Sequence, residues 1–206
     1  QGIPECIEEA EVVLKNIKTE WVFWGFADEM IPKVCLEKYL SITNSNSQIE
    51  IVVQKHKTML YRSDWEFLPA YCVTKLFKIG SIEFLPFGKF IHGIGRYASH
   101  IKTENILYLP PIDEYSVFHF SVYNTEKIIS NHNKYSTIHS RIVNKKFLPL
   151  RIILEPIINF LVILFIHGSI RRGIIGYIVA VQYAFYSFQV LVKAYEIEHN
   201  ITVCLL

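Results

Sequence analysis

The hydrophobic positions of this chain change period several times, and each change predicts an element. Ile7, Ala10, Leu14 and Ile17 recur at helical spacing, with Glu8, Glu9, Glu11 and Lys15 between them. That pattern predicts a helix over Glu5–Lys18 with one solvated face. Trp21-Val22-Phe23-Trp24 is then apolar without alternation, as expected of a strand buried on both faces. The run stops at Gly25-Phe26-Ala27, and Asp28 and Glu29 follow at once. Pro32 fits the first turn of a helix over Pro32–Leu40, because its missing N–H costs nothing there. Val34, Cys35, Tyr39 and Leu40 are its packing residues. Ser41–Ser47 is polar and predicts a loop, and Gln48–Gln54 is β-branched and predicts a strand. The basic cluster Lys55, His56, Lys57 and Arg62 fits a solvated loop. Val73–Leu85 fits a hairpin turned at Ile79-Gly80-Ser81, and Ser116–Val122 alternates as a strand.

The last third follows another rule. Glu126–Lys146 carries an apolar stripe of Ile128, Tyr135, Ile138, Ile142 and Val143 against Lys127, Lys134, Arg141, Lys145 and Lys146. This composition suits an amphipathic helix at a membrane interface, or one packed on a sheet. Two apolar stretches close the chain. Phe147–Ile166 contains Arg151, Glu155 and Pro156, and only the part after Pro156 is cleanly apolar, too short to span a bilayer. Gly173–Val192 has no charge and is about the spanning length, with Gly176, Ala180 and Ala184 recurring four apart. Between them lies a basic turn, His167–Gly173. A shallow or in-plane helix pair is expected, because Arg151, Glu155 and Pro156 would be costly in a first span.

Composition sharpens this division. The chain has 206 residues, 51% hydrophobic and 14% aromatic, which excludes a disordered polar chain. Residues 1–125 hold twelve Lys/Arg against fifteen Asp/Glu, and residues 126–206 hold nine against four. A basic, apolar C-terminal third points to an anionic membrane surface and not to nucleic acid. Two domains are therefore expected, 1–125 and 126–206. Cys6, Cys35, Cys72 and Cys204 are far apart and show no zinc spacing, as in a reduced cytosolic protein.

The chemistry gathers at the end of the first apolar run. Strand, acidic tip and helix is the arrangement in which open α/β sheets place ligands, at the carboxyl ends of strands. Asp28 and Glu29 there either cap the following helix or hold a divalent cation, which in turn holds a phosphate. Other residues have bland and specific readings side by side. The Trp65 ring can stack on a sugar face or belong to a core. His119, between Phe118 and Phe120, is a hydrogen-bonded structural histidine or a ligand. Gly93-Ile94-Gly95 has no third glycine and is no dinucleotide signature.

The stretch Phe26-Ala27-Asp28-Glu29 resembles the strand end Asp-Ala-Asp-Glu of family-2 glycosyltransferases, the metal-binding DxD motif of their GT-A fold. Phe26 stands where that motif has its first Asp, and Asp28 matches the metal ligand. Lys75-Leu76-Phe77-Lys78 resembles the basic Leu-Phe element that the family places after an aromatic loop, here Trp65, Pro69 and Tyr71. His92-Gly93 stands where many relatives have His-Glu. His119-Phe120-Ser121 and Asn133-Lys134-Tyr135-Ser136-Thr137 resemble the family's "His-Tyr-Ser … Asn-x-Tyr-Ser/Thr" segment. The two apolar stretches around a basic turn resemble its C-terminal pair of membrane-associated helices.

The resemblance implies an α/β fold, a partial GT-A sheet lacking its first βα units, followed by C-terminal membrane-associated helices. It implies transfer of a sugar from a nucleotide-sugar donor to a cell-envelope glycan or lipid-linked acceptor at the cytoplasmic face of the membrane. Asp28 would hold Mg²⁺ or Mn²⁺, with Glu29 and His119 as catalytic candidates and Trp65, Lys75 and His92 as substrate-binding candidates. The base that deprotonates the acceptor hydroxyl stays open among Asp64, Glu66, Glu83, Asp113, Glu114 and Glu29. The nucleotide-binding half of such a fold is expected before Gln1 or on another chain. The competing expectation is a non-catalytic, membrane-bound remnant or partner subunit.

Overall fold

The computed structural model describes residues 7–45, 47–60, 70–84, 95–122 and 124–201. The chain forms two compact units, Gln1–Tyr123 and Asn124–Leu206.

The first unit is α/β. Its order is α1 (Ile7–Leu14), β1 (Trp21–Phe23), β2 (Glu29–Met30), α2 (Lys33–Thr43), β3 (Ile51–Leu60), β4 (Tyr71–Lys78), β5 (Ile82–Glu83), β6 (Arg96–Tyr97), β7 (Ile106–Tyr108) and β8 (Val117–Val122). Six strands form one sheet in the order β1-β4-β3-β8-β2, with β7 beside the start of β3. The sheet is mixed, since β3 runs antiparallel to β4 and parallel to both β7 and β8. Strand alternation divides its side chains between two cores. Val22, Trp24, Ile51, Val53 and Phe77 pack with Ala10 of α1. Val52 and Leu76 pack with Cys35, Tyr39 and Ile42 of α2.

Several sequence expectations change here. The Trp21 strand forms, but as an antiparallel edge strand, and Phe23 is 46% exposed instead of buried. Asp28 and Glu29 do not cap α2. Its N-cap is Pro32, its first turn carries no acid, and Glu29 lies in β2. The helix also runs on to Thr43, with Val34 and Leu40 exposed. The strand expected to end at Gln54 continues to Leu60, so Lys55, His56 and Lys57 are strand residues and not a loop. Gln54, His56 and Thr58 share one face of β3 and are buried, as are Val53, Lys57 and Met59 on the other. The chain does turn after Lys78, with Gly80 at φ 88°, but no hairpin forms: β5 leaves β4 and pairs with β6.

The second unit is helical: α3 (Thr125–Ile142), α4 (Leu148–Leu161, continued by a π-turn through Ile166) and α5 (Ile174–Glu198). Asn124 caps α3, its Oδ1 accepting from Lys127 N–H at 2.8 Å. Pro156 does not interrupt α4. Arg151 and Glu155, one turn apart, pair with each other, and Arg151 also donates to the Asn144 carbonyl. The expected break into a short apolar segment is thus absent. Leu148–Ile166 and Ile174–Glu198 are each long and apolar enough to cross a membrane. Gly176 and Ala180 are buried, and a Cβ on Gly176 would meet the Ser169 carbonyl oxygen at 1.6 Å. That close approach is what the small-residue stripe permits.

Candidate functional site

The site begins at the turn between β1 and β2. Glu29 N–H donates to the Phe26 carbonyl at 3.1 Å, and Phe26 N–H donates to Glu29 Oε2 at 3.1 Å. Main chain and side chain of Glu29 therefore close the same turn. Strand β2 then pairs with β8, setting Glu29 opposite His119, while Phe120 N–H donates to the Asp28 carbonyl at 2.8 Å. On the far side of β8, Thr58 of β3 lies opposite His119. Two short ladders thus fix the histidine between the acidic turn and the sheet centre.

Lys75 arrives by a bulge. The β3–β4 ladder passes from Val52–Leu76 to Val53–Thr74, leaving Lys75 as the extra residue of β4. A bulge redirects the side chain it carries. The Lys75 Nζ meets Glu29 Oε1 at 2.5 Å and lies 4.7 Å from the centre of the Phe26 ring. His56 Nε2 approaches the same carboxylate oxygen at 3.5 Å. These three side chains are 6%, 3% and 4% exposed for Lys75, Glu29 and His56. Burial pushes the Glu29 carboxyl up, but the contacts from His56, Lys75 and Phe26 N–H together hold it below the usual carboxylate range.

The His56 ring lies between Tyr71, at 4.8 Å, and His119, at 5.1 Å. Its Nδ1 is buried without a hydrogen-bond partner among the described residues. His119 Nε2 reaches Asp28 Oδ2 at 3.3 Å, and here the cluster meets solvent: His119 is 23% exposed and Asp28 47%. Burial lowers the His119 pKa, and the Asp28 charge offsets this only in part. A neutral imidazole beside a solvent-facing carboxylate can accept a proton from a hydroxyl. Beside the turn, a cavity of about 420 Å³ is lined by Phe23, Gly25, Phe26, Glu29, Ile31 and Leu36. It touches Glu29, while Asp28 and His119 are not in its lining.

Four of the residues singled out in the sequence, Asp28, Glu29, Lys75 and His119, converge in this cluster. Trp65 and His92 lie outside the described residues, as do Asp64, Glu66 and Pro69. Glu83 pairs with Arg96 at 2.7 Å, and Asp113 with Lys57 at 2.7 Å. The part of the second motif that lies in α3 ties that helix to α5, since Lys193 donates to Asn133 Oδ1, Ser136 Oγ and Thr137 Oγ1, each at 2.8 Å. Sequence reasoning misses His56, because its basic neighbours suggest a loop. Every residue between Val53 and Met59 is polar, so no apolar alternation marks the strand that buries it.

The donor set suits a cation that arrives with its phosphate better than one caged by protein. Among the described residues no three His, Cys, Asp or Glu side chains form a metal-holding group. Asp28 offers one half-exposed carboxylate, and Mg²⁺ commonly takes one or two carboxylates and completes its shell with water and phosphate. Comparison with family models, with curated proteins and with solved structures finds no match to this chain.

Proposed function

We propose that this chain is part of a GT-A-type glycosyltransferase that moves a sugar from a nucleotide-sugar to a hydroxyl of a cell-envelope glycan or lipid-linked acceptor. One observation carries the reading. Asp28 and His119 belong to two separate stretches that resemble the same family, and their side chains come within 3.3 Å at a solvent-facing edge. In the reaction the acceptor oxygen attacks the anomeric carbon, the bond to the diphosphate breaks, and the hydroxyl proton passes to a base. Asp28 would hold Mg²⁺ or Mn²⁺, which when bound neutralises charge on the departing diphosphate. His119 receives the proton. Glu29, already engaged by Lys75, His56 and Phe26 N–H, is a positioning residue that fixes the turn carrying Asp28. The second unit would hold the protein on the cytoplasmic face of the membrane, where a lipid-carried acceptor meets a cytosolic donor.

A non-catalytic partner subunit is the second reading. It is favoured by the commitment of Glu29, the carboxylate next to Asp28, to buried partners. One experiment separates the two. Calorimetry of the chain together with the segment or chain that carries the nucleotide-binding half, against a panel of nucleotide-sugars, should show Mn²⁺-dependent binding that Asp28→Ala abolishes. Unchanged metal-dependent affinity in that variant, or none in the wild type, sinks the transferase reading.

A further inference from the structure

We propose that the second unit docks in the plane of an anionic bilayer through an apolar face on α4 and α5, entering one leaflet without crossing it. This deepens the membrane part of the reading above and does not depend on the transfer chemistry.

The face is a pattern of exposure. On α4, Leu150, Ile153, Ile157, Leu161 and Phe165 are exposed at helical spacing. The polar side chains of that helix turn elsewhere: Arg151 and Glu155 pair with each other, and Asn159 donates to Ser187 Oγ of α5 at 2.9 Å. On α5, Ile174, Tyr177, Val181, Phe185 and Phe188 form a second exposed stripe. The stripes adjoin where the Tyr177 ring meets Phe160 of α4, with centroids 5.7 Å apart.

Helix α3 argues against a crossing. It packs on the other side of α5, where His132 stacks near Tyr183 and Tyr186 and Lys193 is held by Asn133, Ser136 and Thr137. The outward face of α3 carries exposed Glu126, Lys134 and Arg141. If α5 crossed a bilayer, lipid would surround these charges as well. These contacts fall on α5 from Tyr183 onward, and the part of α5 before them is roughly 14 Å long at 1.5 Å per residue, about half of a hydrocarbon core.

The charges identify the surface. Lys146 precedes α4, and Arg171 and Arg172 follow it; all three are exposed. A crossing would divide them between opposite sides of the membrane. An in-plane pair sets them in one headgroup layer, where long basic side chains reach phosphates while their stems stay in apolar surroundings.

The test uses the full chain added to preformed sealed vesicles of three parts phosphatidylcholine to one part phosphatidylglycerol. Flotation should recover the protein with these vesicles and at least tenfold less with pure phosphatidylcholine. Lys146→Glu with Arg171→Glu, changes of two exposed basic side chains, should cut recovery similarly. Lys146→Cys and His167→Cys should both be modified by an impermeant maleimide added outside, with peptide mapping reading each site separately. Failure to float overturns docking. Protection of His167→Cys until detergent is added overturns the in-plane geometry and assigns a crossing. Equal flotation with neutral vesicles overturns the anionic surface. None of these outcomes bears on sugar transfer, so failure here and failure of the transferase reading are distinguishable.

Discussion

The Glu29 carboxylate and the Lys75 ammonium lie 2.5 Å apart, and neither side chain is more than 6% exposed. The pair joins the acidic turn to the bulge of β4. Replacing one member leaves the other charged in the interior, which typically costs about 3–5 kcal/mol. Glu29→Gln should therefore lower unfolding stability by that order, read from urea denaturation. Lys75→Met combined with Glu29→Gln should recover much of the loss, because no buried charge then remains. Equal stability of Glu29→Gln and wild type would mean that the pair is not buried in solution.

The same pair sets an acid limit. Glu29 has its carboxyl held below the usual range despite burial, through His56, Lys75 and Phe26 N–H. Its folded pKa lies below its unfolded one, so its contribution is present above about pH 4.5 and is lost as pH falls through the folded value. Denaturation midpoints between pH 5 and 3 should fall more steeply in the wild type than in Glu29→Gln. Parallel curves would remove Glu29 from the account.

Much of this architecture is legible from local pattern, and the failures have one cause. The α3 helix and the strand at Val117–Val122 can be read because each is set by neighbours in sequence, whereas the acids expected at the end of the Trp21 strand lie beyond it, with Glu29 in β2. The burial of Lys75, His56 and Glu29 cannot be read. Each is polar, and the contacts that join them, Lys75 to Glu29 and His56 to Glu29, link residues tens of positions apart. Lys75 needs a bulge that β3 imposes, and His56 needs a strand longer than its apolar run. The α4 helix escapes sequence reading for a related reason. Arg151 and Glu155 look prohibitive one at a time, yet they lie one turn apart and neutralise each other.

In the second unit, burial pushes His132 down to about 4. The unfolded chain, with a value near 6.5, takes up this proton first as the solution is acidified. Stability is full above about pH 6.5 and is lost towards pH 4, by at most on the order of 3 kcal/mol at about 1.4 kcal/mol per unit. His132→Phe should flatten that slope while keeping the ring contact with Tyr186. An unchanged slope would assign the acid sensitivity to another group.

His119 provides the sharpest separation of reactive from structural roles. Its pKa is lowered by burial, with Asp28 opposing, so near neutral pH the ring is neutral and can take a hydroxyl proton. Under the transferase reading, the acid limb of the turnover profile should follow loss of the His119 proton, with rate rising as pH rises through a value below 6.5. His119→Gln keeps a polar side chain of similar reach facing Asp28 but cannot serve as a base at neutral pH. It should lose about 10²–10⁴-fold in turnover, the usual range for a positioned base, with nucleotide-sugar affinity little changed. A purely structural His119 would instead show lowered unfolding stability and weakened donor binding, with the acid limb unmoved. Steady-state rates from pH 5 to 8, together with donor affinity for both proteins, decide between these outcomes.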